Sequence, residues 1–314
     1  MARKVQIAVG KRGGRIAGYH LEQGKLRAEY VSDKPEPPKK SKVPKKKEAI
    51  FVHGVRIPPG NEIVWQSPEP QGNPNGLIAI LKDSKGRSQY VYTEEHWRQA
   101  AAAKWERLTA LSEDHERLVE QMEAGMDSPN PRVSQAFEVL KLIADTGIRV
   151  GSTRDTKASV KAYGATTLLA KHVRFEEGVA ILEFVGKKGV PNKFRVTDKE
   201  LVSRLYSRVH GVKNPEAPLF PLATDSTVRM ALDGITPEGR SYKVKDLRTM
   251  VATATALKFI KNSPPPPRPK TPAEMEKFKK LVGTQVASVL GNTAAVALSY
   301  YIAPTVFDYV ARGM

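Results

Sequence analysis

The sequence contains no cysteine. This absence excludes disulfide bonds, thiolate metal sites and a cysteine nucleophile. The six histidines are scattered, without the close spacing of metal ligands. No segment approaches the roughly 18 consecutive apolar residues of a membrane span, and the N-terminus lacks the apolar core of a secretory signal. The sequence therefore predicts an intracellular protein without a membrane anchor, a metal or a small-molecule cofactor.

Acidic residues are scarce relative to basic ones. The chain has 33 Asp and Glu against 51 Lys and Arg, which gives a net charge of +18. Such an excess favours a polyanionic partner, either nucleic acid or an anionic membrane surface. A membrane-surface protein would need a basic amphipathic helix with an exposed apolar face, and the sequence shows none. Nucleic acid is the favoured partner.

The basic excess is concentrated in a leader, residues 1–49. Residues 1–50 hold fourteen Lys and Arg against five Asp and Glu. The first thirty residues are predicted to be weakly structured. The run VSDKPEPPKKSKVPKKKE is predicted to be an extended, solvated linker, because it cannot bury a core. Three roles remain open for this leader: a solubilising tail, an arm that contacts phosphates, or a nuclear-import signal.

The chain beyond the leader changes from strand-like to helix-like patterns. Short apolar runs separated by turns predict a small β-rich domain over residues 50–97, with a hairpin turn at SKGR. Residues 98–314 predict a mainly helical domain with one further hairpin, VAILEFV and NKFRV joined by GKKG. Gly147 is expected to end one helix, and a capping box over Thr271–Glu274 to start another. The predicted fold class is α+β.

Four motifs carry the chemistry. They are DSKGRSQYVY, TGIRVG, EFVGKKG, and KDLRT together with LGNTAAVALSYYIAP. In this order they resemble the motifs of type IB DNA topoisomerases, the small poxviral and bacterial forms in particular. The resemblance runs from about residue 55 to the C-terminus, and KDLRT and LGNTAAVALSYYIAP are its most specific parts. It implies a C-terminal catalytic domain of the tyrosine recombinase and topoisomerase IB type.

The resemblance also assigns catalytic roles. Tyr301 is the nucleophile and forms a 3′-phosphotyrosyl bond. Attack of a hydroxyl on a phosphodiester builds negative charge on the phosphate oxygens, and guanidinium groups stabilise that charge well because they donate two hydrogen bonds at once. Arg149 and Arg248 take this role. A lysine can protonate the leaving 5′-oxygen, and this residue is Lys187, with Lys188 as the alternative.

A fifth position departs from the usual family pattern. The family commonly has a histidine there, whereas this sequence has Asn292, as bacterial members do. An asparagine amide can donate a hydrogen bond to a non-bridging phosphate oxygen, but it is neutral and cannot shuttle a proton. The substitution is expected to lower the reaction rate without abolishing the reaction.

A separate group of residues is expected to contact DNA, partly by resemblance and partly by charge. Basic side chains can bind phosphates, whereas Gln and Tyr can reach base edges or backbone oxygens. The predicted contacts are Lys85, Arg87, Gln89, Tyr90, Tyr92 and Lys245.

Together these features predict an enzyme that closes as a monomeric clamp on double-stranded DNA. It nicks one strand, lets the free strand rotate to relax supercoils, and religates without ATP or metal. One alternative is a tyrosine recombinase, but those enzymes typically have a histidine where this sequence has Lys245, three residues before Arg248. Another is a non-catalytic DNA-architectural protein, which would need the charge but not Tyr301.

Overall fold

The computed structural model describes residues 15–22, 25–31, 50–152, 160–262, 269 and 271–312. The chain divides into two compact units, Met1–Thr93 and Glu94–Met314. Within the described residues the first unit is built from strands and the second mainly from helices, which confirms the predicted α+β class. The division falls at the start of a helix, a few residues before the predicted limit at residue 97.

The strands of the first unit are antiparallel. They are β1 Arg15–Glu22, β2 Lys25–Val31, β3 Phe51–Val52, β4 Val55–Arg56, β5 Glu62–Gln66, β6 Leu77–Lys82 and β7 Ser88–Tyr92. β1 pairs with β2 inside the leader, so the expectation of weak structure there was wrong. Aromatic and β-branched residues in both runs favour strands. The strands β5, β6 and β7 form a three-stranded sheet in that order.

The β6–β7 hairpin confirms the turn predicted at SKGR. Asp83 N–H donates to the carbonyl oxygen of Arg87 at 3.0 Å, and Gly86 N–H donates to that of Asp83 at 2.8 Å. Gly86 has a φ of +72°, a left-handed conformation that glycine adopts without steric cost. One face of the sheet is covered by a small apolar core, formed by Val52, Ile57, Ala79 and Leu81.

The second unit combines helices with one small sheet. Its helices in the described residues are α1 Glu94–Glu113, α2 His115–Met126, α3 Pro131–Thr146, α4 Lys199–His210, α5 Asp225–Ile235, α6 Val244–Asn262, α7 Pro272–Leu290, α8 Ala294–Tyr300 and α9 Thr305–Arg312. The sheet has the order β10-β9-β8, with β8 Val173–Glu176, β9 Val179–Val185 and β10 Pro191–Val196. The predicted second hairpin is β9–β10. The sequence did not predict α2, α5 or α8 as separate helices.

Helix ends in this unit follow the predicted capping signals. Gly147 ends α3 with a φ of +68°, and Thr271 caps the start of α7, where its side chain accepts a hydrogen bond from Glu274 N–H. Gly291 ends α7 in the same left-handed conformation as Gly147. The proline-rich segment that precedes Thr271 in the sequence lies mostly outside the described residues.

The ends of α3 and α7 pack against α6. A methyl group on Gly147 would lie 2.7 Å from a Leu290 side-chain carbon and 3.2 Å from one of Val251. This close approach places the last carbonyls of α3 and α7 beside the first turns of α6. Three chain segments that are distant in sequence therefore meet at one corner.

Among the described residues no single helix is both long and apolar enough to cross a membrane. The bent pair α7 and α8, with 97° between the helices, meets the length and composition requirement only when the two are taken together. Several apolar residues of α7 are buried in the core, among them Phe278, Val282 and Leu290.

Candidate active site

Arg248 is the most firmly held residue of the site. It is the fifth residue of α6 and is 2% exposed. One terminal nitrogen donates to the carbonyl oxygen of Gly147 and the other to that of Leu290 at 2.7 Å. Nε is buried without a partner among the described residues. The guanidinium is thus fixed by two helix-end carbonyls and keeps N–H groups for a further acceptor.

The environment of Arg248 disfavours its charge. Burial, and secondarily the charge of Arg149, lowers the pKa of Arg248 to about 10. The residue therefore stays protonated at neutral pH. A buried cation beside a second cation is stabilised when an anion binds between them, so this corner is suited to a negatively charged group.

Arg149 follows the end of α3 by three residues and is half-buried. Its backbone carbonyl accepts a hydrogen bond from Ala165 N–H at 2.8 Å. Its guanidinium donates to the carbonyl oxygen of Gly291 at 3.5 Å. Arg149 and Arg248 therefore use consecutive carbonyls, those of Gly291 and Leu290, at the end of α7. This shared anchor brings two guanidinium groups to the same corner.

Tyr301 lies against Arg248 in this corner. It caps the end of α8 and is 8% exposed. The centre of its ring is 5.0 Å from Cζ of Arg248 and 5.6 Å from Nζ of Lys245. Its neighbour Tyr300 is 58% exposed. The two adjacent tyrosines thus differ in their surroundings, because Tyr301 packs against the fixed guanidinium of Arg248 and Tyr300 does not.

The backbone around Tyr301 is held by residues that sequence motifs did not indicate. The Thr253 hydroxyl of α6 donates to the carbonyl oxygen of Tyr301 at 3.3 Å, and the hydroxyl oxygen itself accepts a hydrogen bond from Ala303 N–H at 3.2 Å. Thr253 therefore fixes the segment that follows α8. A threonine within an apolar helix was the only sequence signal for this role.

A second support comes from α1. Lys104 donates a hydrogen bond to the carbonyl oxygen of Tyr300 at 2.6 Å. Partial burial, followed by the charge of Lys245, lowers the pKa of Lys104 to about 8. On the same helix Arg107 pairs with Asp246 at 3.2 Å. The helix α1 thus contacts both the start of α6 and the end of α8.

Asn292 follows the Gly291 cap of α7. Its backbone N–H donates to the carbonyl oxygen of Ala287 at 3.2 Å. Both polar atoms of its side chain are buried and have no partner among the described residues. A buried amide without a partner is uncommon in native proteins and calls for an explanation such as a ligand. Its Nδ2 is an available neutral hydrogen-bond donor next to the corner that holds Arg149 and Arg248, which we call the arginine corner.

Lys187 and Lys188 lie at the tip of the β9–β10 hairpin and are exposed. Lys188 has a φ of +66°, which is uncommon for a residue with a side chain. In the described part of the chain no hydrogen bond or ion pair links either lysine to Arg149, Arg248 or Tyr301. Four of the five predicted catalytic residues are thus grouped by the helix ends, whereas the predicted proton donor projects from a separate hairpin.

The predicted DNA-contact residues of the first unit lie on β7 and the turn before it. Arg87 forms an ion pair with Asp83 at 2.6 Å, and hydrogen bonds from Arg87 lower the pKa of Asp83 to about 2. Tyr90 is 55% exposed and pairs across strands with Ile80, whereas Gln89 pairs with Leu81. Successive strand residues face opposite sides, so Gln89 lies on the opposite face from Tyr90. The remaining predicted contacts are Lys85 and Tyr92, and Lys245 on α6.

Within the described ranges no group of three His, Asp or Glu side chains is arranged to hold a metal ion.

Comparisons with known proteins identify the family to which this chain is similar. The family model described as the catalytic core of eukaryotic DNA topoisomerase I matches residues 93–303. A DNA topoisomerase 1B of Acanthamoeba polyphaga mimivirus is 26% identical over 271 residues, which cover 82% of this chain and 78% of that protein. A DNA topoisomerase 1 of Rabbit fibroma virus is 26% identical over 242 residues, covering 74% of this chain and 72% of that protein.

Among solved structures, a complex of the XerH site-specific recombinase with its palindromic difH substrate is 15% identical and covers 64% of this chain and 51% of that chain. The TM-score is 0.41.

Proposed function

The chain belongs to the type IB DNA topoisomerase family, and we propose that its reaction proceeds through Tyr301, Arg149, Arg248, Asn292 and Lys187. One observation carries this assignment. The ring of Tyr301 packs 5.0 Å from the guanidinium carbon of Arg248, and that guanidinium is itself fixed by the carbonyls of two helix ends. A nucleophile beside a preorganised cation is what attack on a phosphodiester requires.

In the proposed cleavage step, Tyr301 Oη attacks the phosphorus and the bond from phosphorus to the 5′-oxygen breaks. The phenolic proton passes to solvent. Arg149 and Arg248 stabilise the negative charge that develops on the non-bridging oxygens, and Asn292 donates a neutral hydrogen bond to one of them. Lys187 gives a proton to the leaving 5′-oxygen, and the 3′-phosphate remains attached to the tyrosine.

The reverse reaction reseals the strand. The free 5′-hydroxyl attacks the phosphotyrosyl ester, so the bond energy is retained and no ATP is consumed. Rotation of the free strand before resealing relaxes supercoils. We further propose that the enzyme acts as a monomer on duplex DNA inside the cell, independently of membranes, with Lys85, Arg87, Gln89, Tyr90, Tyr92 and Lys245 as DNA contacts.

The family match favours a topoisomerase over the recombinase considered from sequence. The site disfavours the second alternative, a non-catalytic DNA-architectural protein. Such a protein would not need Tyr301 grouped with two arginines.

Relaxation of a supercoiled plasmid, in EDTA and without ATP, tests the proposal. The wild-type protein and Tyr300→Phe are expected to relax the plasmid, whereas Tyr301→Phe is expected to lose at least about 10⁴-fold in rate. No relaxation by the wild type would overturn the enzymatic proposal. Loss in Tyr300→Phe with activity retained in Tyr301→Phe would show that the neighbouring tyrosine is the nucleophile.

A further inference from the structure

One buried side chain, Asn192 on β10, connects the hairpin of Lys187 to the arginine corner. It is 6% exposed. Its Nδ2 donates to the carbonyl oxygen of Val190 at 2.9 Å, and the same carbonyl accepts a hydrogen bond from Gly186 N–H at 2.8 Å. Asn192 therefore braces the loop Gly186–Val190, which carries Lys187.

The other side of Asn192 touches the end of α7. A methyl group on Gly291 would overlap Asn192 Oδ1, and a methyl group on Gly186 would overlap Asn192 Nδ2. The amide is thus enclosed between two glycines, one at the base of the hairpin tip and one at the helix cap. The carbonyl of Gly291 binds Arg149, and the next residue in the chain is Asn292.

The cost of this arrangement argues against a purely structural role. Oδ1 of Asn192 is buried and accepts no hydrogen bond among the described residues. An unsatisfied buried acceptor destabilises the folded state, whereas an apolar side chain of similar shape would avoid that cost. A polar group that is retained at a cost to stability is typical of sites selected for function.

We propose that Asn192 is a positioning residue, which holds the Gly186–Val190 loop against Gly291 so that Lys187 reaches the 5′-oxygen leaving the phosphate bound by Arg149 and Arg248. This proposal rests on the proposed function of the same site. Asn192 does not contact the reacting atoms. It fixes the distance between the proton donor and the charge-stabilising corner, which are carried by separate elements of the fold.

The test compares two DNA substrates in single-turnover cleavage at a site first mapped with the wild-type protein. One has the normal phosphodiester, and the other has sulfur in place of the leaving 5′-oxygen. A thiolate leaves without being protonated, so this substrate does not need a general acid. The variant is Asn192→Leu, which preserves approximate shape and removes the unsatisfied acceptor. Its melting temperature is measured alongside the rates.

Asn192→Leu is expected to slow cleavage of the phosphodiester by about 10- to 100-fold, a part of the usual contribution of general acid catalysis. Cleavage of the sulfur substrate is expected to change by less than about threefold, because the step that Asn192 supports is bypassed. Lys187→Ala should show the same pattern, and Asn292→Ala should slow both substrates equally. Asn214→Ala, an exposed asparagine after α4, is the control and should match the wild type on both.

Equal slowing of both substrates by Asn192→Leu, or no slowing of either, would overturn the positioning role. A wild-type protein that forms no covalent adduct with either substrate would instead overturn the proposed function, so the two failures are distinguishable.

A second measurement tests the contact itself. Gly186 has a φ of −94°, which any residue can adopt, so Gly186→Ala acts mainly through its overlap with Asn192. Alone, Gly186→Ala is expected to slow phosphodiester cleavage as Asn192→Leu does. Combined with Asn192→Ala it should cost little more than Asn192→Ala alone, because the shorter side chain leaves room for the methyl group. Fully additive losses would contradict the proposed contact.

Discussion

The arginine corner and the β9–β10 hairpin tip differ in how firmly they hold their charged side chains. Arg248 is buried, with both terminal nitrogens bound to backbone carbonyls, whereas Lys187 is exposed at the end of a turn. Charge stabilisation benefits from groups that are fixed before the reaction begins. A proton donor must instead reach one particular oxygen. In the proposed mechanism, the fixed corner sets the position of the phosphate and the hairpin brings the proton donor to it.

The largest effect on the cleavage rate is expected from replacing Arg248, the fixed residue of the arginine corner. Arg248→Ala should lower the cleavage rate by about 10³-fold, since it removes a preorganised donor. It also leaves the carbonyls of Gly147 and Leu290 without their partner, at about 1–3 kcal/mol of stability for each. Arg248→Lys should rescue little of the rate, because an ammonium group cannot bridge two carbonyls as the planar guanidinium does.

Single-turnover cleavage and thermal unfolding of both Arg248 variants check these outcomes. Arg229→Ala, which removes an exposed arginine paired with Asp225 on α5, controls for the loss of positive charge. A rate for Arg248→Lys within about threefold of the wild type would contradict the need for a fixed guanidinium fork.

A smaller effect is expected at the neutral member of the corner. Asn292→Ala should slow cleavage by about tenfold, the value of one uncharged hydrogen bond to the developing charge. Asn292→His should raise the rate above that of the wild type, because a protonated imidazole adds positive charge there. That gain should fall as the pH rises through the pKa of the introduced histidine. An unchanged rate in Asn292→Ala would remove Asn292 from the site.

The structural features that the sequence predicted are those whose contacting residues lie close together along the chain. The capping roles of Gly147 and Thr271 and the two hairpins follow from signals within a few residues, and the structure confirms them. The family motifs indicated Tyr301 and Arg248. The bond from Lys104 to the Tyr300 carbonyl spans 196 positions, and no local pattern encodes such a contact.

Sequence motifs did not indicate Asn192 for the same reason, because its contacts join segments that are distant along the chain. From sequence it is one polar residue in the strand NKFRV, facing the same side as Phe194 and Val196 by alternation. Only packing between the hairpin and the end of α7 shows that it separates Gly186 from Gly291. Tertiary contacts of this kind depend on how elements meet, and the motifs do not contain that information.

The smallest effect is expected at Lys104, which binds the carbonyl oxygen of Tyr300, and it concerns the free energy of unfolding. Because partial burial lowers the pKa of Lys104 from 10.5 to about 8, the unfolded chain binds more protons than the folded chain between these pH values. The free energy of unfolding should therefore rise as the pH increases from 8 towards 10.5. Lys104→Met should reduce this rise, whereas Lys199→Met, an exposed lysine on α4, should leave it unchanged. Chemical unfolding at several pH values checks the difference.

The identity of the nucleophile is tested most directly by mapping the covalent bond. The protein is incubated with a nicked or short duplex DNA from which the short downstream fragment, with its free 5′-hydroxyl, dissociates after cleavage. The covalent complex is then digested with protease and nuclease and analysed by mass spectrometry. The expected result is a nucleotide attached through its 3′-phosphate to Tyr301, with no adduct in Tyr301→Phe. A nucleotide on Tyr300, or a bond through a 5′-phosphate, would contradict the account.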